Sequence, residues 1–178
     1  MSTQLVILSG PPNAGKSATA EALCQRYDRM LHIEMAVLRE LLRMGRLRPH
    51  DETPEGRRQR TLFVEAACDM ARRFLDAGYG VVIDDVILED DLAAYCDGLA
   101  GVTQPVHFVV LLPGLEAVLG GEKRRREQLE ELHARFAGWR GVASVDPGSL
   151  TPELVADRVM ALAAEGNALL DAGATAAR

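Results

Sequence analysis

Lysine is nearly missing from this chain, which carries two, Lys16 and Lys123, against eighteen arginines. Long apolar runs are missing too. No stretch approaches the roughly 20 residues of a bilayer span, and no charged leader precedes the first apolar run, so the expectation is a cytoplasmic protein with no membrane segment. Cysteine is sparse: Cys24, Cys68 and Cys96 are odd in number and widely spaced. They lack the paired spacing of a zinc site or a disulfide framework and read as core or near-surface thiols. Excess positive charge is also absent, with 20 basic residues against 26 acidic ones, a formal charge of −6 and a pI near 5.3. Nothing global therefore favours nucleic acid or an anionic membrane. The basic and aromatic stripe that a long polynucleotide requires is wanting as well. Neither Asn-Lys-x-Asp nor an Asp-x-x-Gly after the third apolar run occurs, which argues against a guanine-nucleotide switch.

What is present is enough for one domain. The 178 residues, 48% of them hydrophobic and 26% charged, can bury about two-thirds of the surface of the unfolded chain. Short apolar runs at 5–8, 30–33, 80–83, 106–112 and 142–145 read as strands covered on both faces. Between them lie helical stretches at about 17–27, 35–44, 57–78, 89–99, 114–138 and 152–165. In the third stretch Leu62, Ala66, Met70 and Phe74 recur every four residues and Gly78 sits where a C-terminal cap belongs. The alternation predicts an α/β fold with a five-stranded parallel sheet and helices on both faces. The polar segment 46–56 reads as a loop, and the tail from Gly166 to Arg178 as frayed and without a role.

Against the shortage of lysine, Lys16 stands out. Gly10, Gly15, Lys16 and Ser17 match G-x-x-x-x-G-K-[ST] between a predicted strand and a predicted helix. In that pattern the loop from Gly10 through Pro11, Pro12, Asn13, Ala14, Gly15, Lys16 and Ser17 to Ala18 curls round a phosphate. The helix start points its positive dipole end at the anion, Lys16 reaches the β and γ oxygens, and the Ser17 hydroxyl coordinates Mg²⁺. The alternative is a glycine-rich turn with no ligand.

Carboxylates end two of the predicted strands. Asp84 and Asp85 close the third, on the sheet edge that faces the phosphate loop. Either could serve Mg²⁺; Asp84 is preferred for the metal and Asp85 for the substrate, unless the pair merely caps the next helix. Glu34 ends the second strand, where it could take the proton of an attacking hydroxyl, or simply favour a helix dipole. Arg39 could steady substrate or phosphate, or be a solvated charge. After the fourth strand, Gly120 and Gly121 precede Lys123, Arg124, Arg125 and Arg126. A glycine-hinged basic helix at 120–138 could close as a lid over a transferring phosphoryl group, although Glu127, Glu130 and Glu131 also suit a solvated face.

Together these residues resemble small P-loop kinases that phosphorylate a hydroxyl, particularly the chloramphenicol phosphotransferases, with zeta-toxin-like and polynucleotide-kinase-like relatives further off. The resemblance rests on "GPPNAGKS", Glu34, "VVIDDVIL", the arginine-rich segment after the fourth strand and "SVDPGSLTPELVADRV", and it extends to about residue 165. It implies a kinase domain over 1–165, ATP and Mg²⁺ as cofactors, and a small-molecule acceptor between the second strand and residues 35–75. It also implies adenine held near the loop from Asp146 to Leu150, with Asp146 and Pro147 as its contacts. The relatives generally carry Asp where this chain has Glu34, one methylene longer, so their antibiotic specificity does not carry over. The leading expectation is an ATP-dependent small-molecule phosphotransferase; the alternatives are a nucleotide or polynucleotide 5′-kinase and a non-catalytic nucleotide sensor.

Overall fold

Five strands, all parallel, form one sheet in the order β2-β3-β1-β4-β5. The computed structural model describes residues 3–49, 51–121 and 123–170. Along the chain the elements are β1 (Leu5–Ser9), α1 (Lys16–Cys24), β2 (Met30–Glu34), α2 (Met35–Glu40), α3 (Pro54–Asp76) and β3 (Gly80–Asp84). A short 3₁₀ turn (Glu89–Asp91) leads into α4 (Leu92–Gly98), followed by β4 (Val106–Leu111), α5 (Leu115–Leu119), α6 (Arg126–Gly138), β5 (Ala143–Val145) and α7 (Pro152–Ala164). From β1 the chain first builds one side of the sheet and then returns to build the other. The turn after β1 therefore lies where the strand order reverses, the place at which open α/β sheets leave a crevice.

Strand alternation divides the core into two layers. Leu5, Ile7, Val81, Ile83 and Val110 pack under α3, α4 and α6, while Val6, Leu8, Val82, Val109 and Leu111 pack under α1 and α7. This is the three-layer arrangement of P-loop NTPases. No helix among the described residues is long and apolar enough to cross a membrane.

Several elements differ from the sequence expectation, each for a physical reason. Helix α3 starts three residues early because Thr53 caps it, its Oγ1 accepting from the Gly56 amide at 3.1 Å, with Pro54 at the first helical position. Its fully buried face is Val64, Ala67, Cys68, Ala71 and Leu75; of the predicted row, Met70 and Phe74 pack against the core from its margin, while Leu62 and Ala66 are exposed. A strict spacing of four drifts round a helix of 3.6 residues per turn, whereas mixed spacings of three and four hold one face. Helix α2 stops at Glu40 because Leu41 and Met44 find nothing to pack against. The predicted helix at 114–138 is two, α5 and α6, separated by Gly120 and Gly121 in left-handed conformations.

Residues 166–170 are tied down. The Phe108 amide donates to Ala168 O and the Leu170 amide to Val106 O, both at 2.8 Å, around an antiparallel bridge between His107 and Leu169. Strand β5 pairs only with Val109–Leu111, so this segment covers the part of the β4 edge that β5 leaves open. The rest of the predicted tail, 171–178, lies outside the described residues.

The burial of α3 makes a direct prediction. Leu75, 1% exposed, and Leu62, 53% exposed, should respond oppositely to truncation. Leu75→Ala is expected to lower the unfolding free energy by about 2–5 kcal/mol and Leu62→Ala by less than about 0.5. Urea titration followed by circular dichroism checks this, and equal losses would mean that the helix buries the predicted row after all.

Candidate functional site

The turn after β1 is shaped by close approach. A Cβ on Gly10 would overlap the Leu111 carbonyl oxygen at the end of β4, so only glycine lets the loop leave β1 in this direction. Asn13 and Gly15 adopt left-handed conformations (φ 64° and 79°), and Gly15 is the cap from which α1 starts. Left-handed residues set among right-handed ones make successive main-chain N–H groups converge, the usual backbone cradle for an anion. The loop is also held from both sides. The Asn13 side-chain amide donates to Val118 O of α5 at 2.9 Å, and Lys16 Nζ reaches across to donate to Gly10 O and Pro11 O, both at 3.0 Å. Burial pushes the Lys16 pKa down, with Asp84 and Asp85 drawing it back up in part. Pro12 and Ala18 lie in the same stretch.

Beside this loop the strand tips bring together carboxylates distant in sequence. Glu34 and Asp84 are lateral partners in the β2–β3 register. The Ser17 hydroxyl donates to Glu34 Oε1 at 3.3 Å, so the first turn of α1 and the tip of β2 meet. His32, to which sequence reasoning assigned no role, sits two residues before Glu34 on the same face of β2, with Nε2 3.0 Å from Asp84 Oδ2. The signal was available: in a strand, residues two apart share a face, so a histidine two before a candidate catalytic carboxylate is placed to hold its neighbour. Asp84 itself is buried at 3% exposure.

Asp85 turns toward the opposite layer. Arg39 grips it with two bonds of 2.7 Å, Tyr95 donates its hydroxyl to Oδ2 at 2.8 Å, and the Val86 amide donates to Oδ1 at 2.8 Å. Each carboxylate oxygen thus already accepts two hydrogen bonds. Burial opposes the charge on Arg39, but the bonds and charge of Asp85 outweigh it and raise its pKa. Burial, reinforced by Asp85, keeps the Tyr95 phenol protonated. The cluster clamps α2 and α4 to the end of β3. A second pin, also missed from sequence, is Ser9: its hydroxyl donates to Ile87 O at 2.7 Å and accepts from the Ile87 amide at 3.0 Å, fastening the segment after β3 to the end of β1.

The remaining predicted site residues follow β4 and β5 along the chain. Arg124 and Arg125 fall in the turn before α6, and Arg126, its first residue, pairs with Glu130 one turn on at 2.7 Å. Asp146 and Pro147 follow β5, where Asp146 Oδ1 accepts from the Gly148 amide at 2.9 Å and Pro147 O from the Leu150 amide at 2.8 Å. These bonds shape the loop that leads to Thr151, whose side chain caps α7.

Comparisons with known proteins bear on this arrangement. A family model described as an AAA domain matches residues 5–140. The search of curated proteins returns no match. Among solved structures, the tunicamycin resistance protein of Deinococcus radiodurans is similar over 94% of this chain and 98% of its own, at 19% identity and a TM-score of 0.68. The APS kinase of Mycobacterium tuberculosis, solved with AMPPNP and APS, covers 92% of this chain and 98% of its own at 15% identity and a TM-score of 0.63. The shikimate kinase of Acinetobacter baumannii, solved with shikimate, covers 92% and 94% at 14% identity and a TM-score of 0.61. At these identities the likeness is one of fold.

The lowered pKa of Lys16 has a thermodynamic consequence. Between its folded value and the ordinary lysine value of about 10.4, the unfolded chain binds a proton that the folded chain has released, so this residue makes stability rise with pH across that window. The difference in unfolding free energy between wild type and Lys16→Met, measured in urea from about pH 8.5 to 10.5, should therefore grow with pH. Loss of the two loop carbonyls' partner offsets the curves without changing their slopes. Parallel curves would show that Lys16 is not desolvated by the fold.

Proposed function

The chain belongs to the AAA domain family, and on that footing we propose that it is an ATP-dependent phosphotransferase moving the γ-phosphoryl group to a hydroxyl of a small molecule. The observation that carries the reading is the contact between Ser17 and Glu34 beside Lys16. It joins a phosphate-binding type of loop to a carboxylate able to accept a proton. The fold supports it: the similar structures of APS kinase and shikimate kinase hold AMPPNP with APS, and shikimate. The resemblance to chloramphenicol phosphotransferases points the same way.

In this reading the main chain of 10–18 cradles the triphosphate and Lys16 exchanges its bonds to Gly10 O and Pro11 O for β and γ oxygens. Asp146 and Pro147 flank the adenine. The donor set fits Mg²⁺, since the Ser17 hydroxyl and the Asp84 carboxylate are hard oxygen ligands. Among the described residues no group of three or more His, Cys, Asp or Glu is placed to hold a metal. Mg²⁺ does not need one, because it is held by one or two carboxylates together with substrate phosphates. When bound, it would neutralise charge that develops on the transferring phosphoryl group. Glu34 takes the proton of the acceptor hydroxyl as that oxygen bonds to the γ phosphorus and the bond to the β–γ bridging oxygen breaks, releasing ADP. Arg124, Arg125 or Arg126 spreads the transferring charge on closure of the 120–138 segment. His32 orients Asp84, and Asp85 holds Arg39 at the substrate side. Rate enhancement then comes mainly from positioning and electrostatics.

One observation favours a second role for Glu34. Because His32 already engages Asp84 while Glu34 meets the Ser17 hydroxyl, Glu34 could serve the metal instead of the acceptor. ATP consumption against a panel of hydroxyl compounds, measured over a Mg²⁺ series, tests both. Lys16→Ala is expected to cost on the order of 10²–10³ in kcat/KM. As a base, Glu34→Gln should cost about 10²–10⁴ in kcat with an unchanged Mg²⁺ requirement. Activity restored by high Mg²⁺ would assign Glu34 to the metal. Undiminished phosphorylation by both variants would end the proposal.

A further inference from the structure

Arginine is unevenly distributed: residues 39–60 hold seven of the eighteen, against four carboxylates, in a chain whose net charge is −6. Part of this excess converges. A cleft between the end of α2, the loop at 46–49 and the first turns of α3 is lined by Arg39, Arg46, Arg48, Gln59, Arg60 and Phe63, among others. Its loop is anchored to α3. Gln59 donates to Gly45 O at 2.8 Å and accepts from the Leu47 amide at 3.1 Å, while Arg60 donates to Asp51 O at 3.0 Å and to Pro49 O at 3.2 Å.

The charges facing the cleft are poorly balanced. Asp85 answers Arg39 and the exposed Glu52 answers Arg60 at 3.3 Å. Arg46 and Arg48 make no side-chain hydrogen bond or ion pair among the described residues, and Asp51, which feels Arg48, spends its carboxylate on Thr53. The Nε of Arg39 is buried without a partner. Guanidinium groups gathered in one concavity repel one another unless an anion sits between them, and their planar forks match carboxylate and phosphate oxygens. The enclosed part of the cleft is about 10 Å³, the room of about one water, so an anionic head group would rest at its mouth, beside the exposed Arg46 and Arg48. Arg39 lies five residues beyond Glu34, a rise of about 7.5 Å, so the cleft that Arg39 lines begins one short helix away from the tip of β2.

We infer that this cleft is an anion subsite, and that the acceptor carries a carboxylate or phosphate-type group bound by Arg46, Arg48 and Arg60. The inference rests on the phosphotransferase reading for calling the ligand an acceptor, but the anion site itself can be tested alone.

The probe is inorganic sulfate, titrated at ionic strength held constant with chloride and followed by amide NMR shifts. Saturable shifts are expected at residues 46–48 and 59–60 in wild type and in Lys16→Ala, which removes the phosphate-loop cation. Arg46→Gln/Arg48→Gln should weaken this binding by about tenfold or more. Both side chains are exposed, so the fold is not at risk. Arg43→Gln, on the same segment but outside the cleft, should bind as wild type does. Shifts confined to 10–18, shifts undiminished in the double variant, or a response merely linear in salt would each overturn the inference. Calorimetry with Mg²⁺ and ATP on the same samples keeps the two readings apart. Nucleotide binding without sulfate binding at the cleft removes only the subsite. Sulfate binding without nucleotide binding removes the acceptor assignment and the phosphotransferase reading together.

Discussion

Complete burial of β1 is the constraint on which the rest of the architecture depends. Its five residues, Leu5 to Ser9, are 0% exposed, walled by β3 and β4 in the sheet and by helices on both faces. The chain can leave such a strand only at its end, and there it must turn beneath the end of β4, which is why Gly10 tolerates no side chain. From this turn α1 is launched, Lys16 folds back over the loop, and Ser17 comes within reach of β2. Ser9 passes the same constraint to the neighbouring strand by holding Ile87.

Around this turn the charges form two groups with different chemistry. One faces the α1 layer: Lys16 with two loop carbonyls, Ser17 with Glu34, and His32 with Asp84. The other faces the α3 layer: Arg39, Asp85 and Tyr95, whose bonds saturate the carboxylate. A buried ion pair contributes little net stability against an apolar alternative, because removing two charges from water costs several kcal/mol per ion. Its value here is geometric. It holds α2 against β3 and α4, and so fixes one wall of the arginine-lined cleft. The two groups belong to adjacent residues, Asp84 and Asp85, because successive residues leave a strand on opposite sides.

Much of this was legible in the sequence, and the reasons are local. Apolar runs, a cap-like glycine and the spacing of Gly10, Gly15, Lys16 and Ser17 are patterns within a few residues, and they located the strands and the turn between β1 and α1. The misses have equally specific causes. Thr53 and Pro54 are a short capping signal inside a stretch otherwise read as loop. The row from Leu62 to Phe74 looked regular, yet it starts in solvent at Leu62 and Ala66 and reaches the margin of the core only at Met70 and Phe74. Gly120 and Gly121 split a helix that composition alone would have continued. Residues 166–170 carry no pattern of their own, since their place is set by the β4 edge that a short β5 leaves uncovered.

By itself the sequence determined the α/β class, the loop that follows β1 and the identity of the acidic strand tips, because each follows from periodicity or spacing along the chain. Only the tertiary structure decided which of these meet: Ser17 with Glu34, His32 with Asp84, and Arg39 and Tyr95 with Asp85. It likewise decided that four scattered arginines share one cleft. Such pairings depend on strand order and lateral register, and these are set by packing between segments far apart in the sequence.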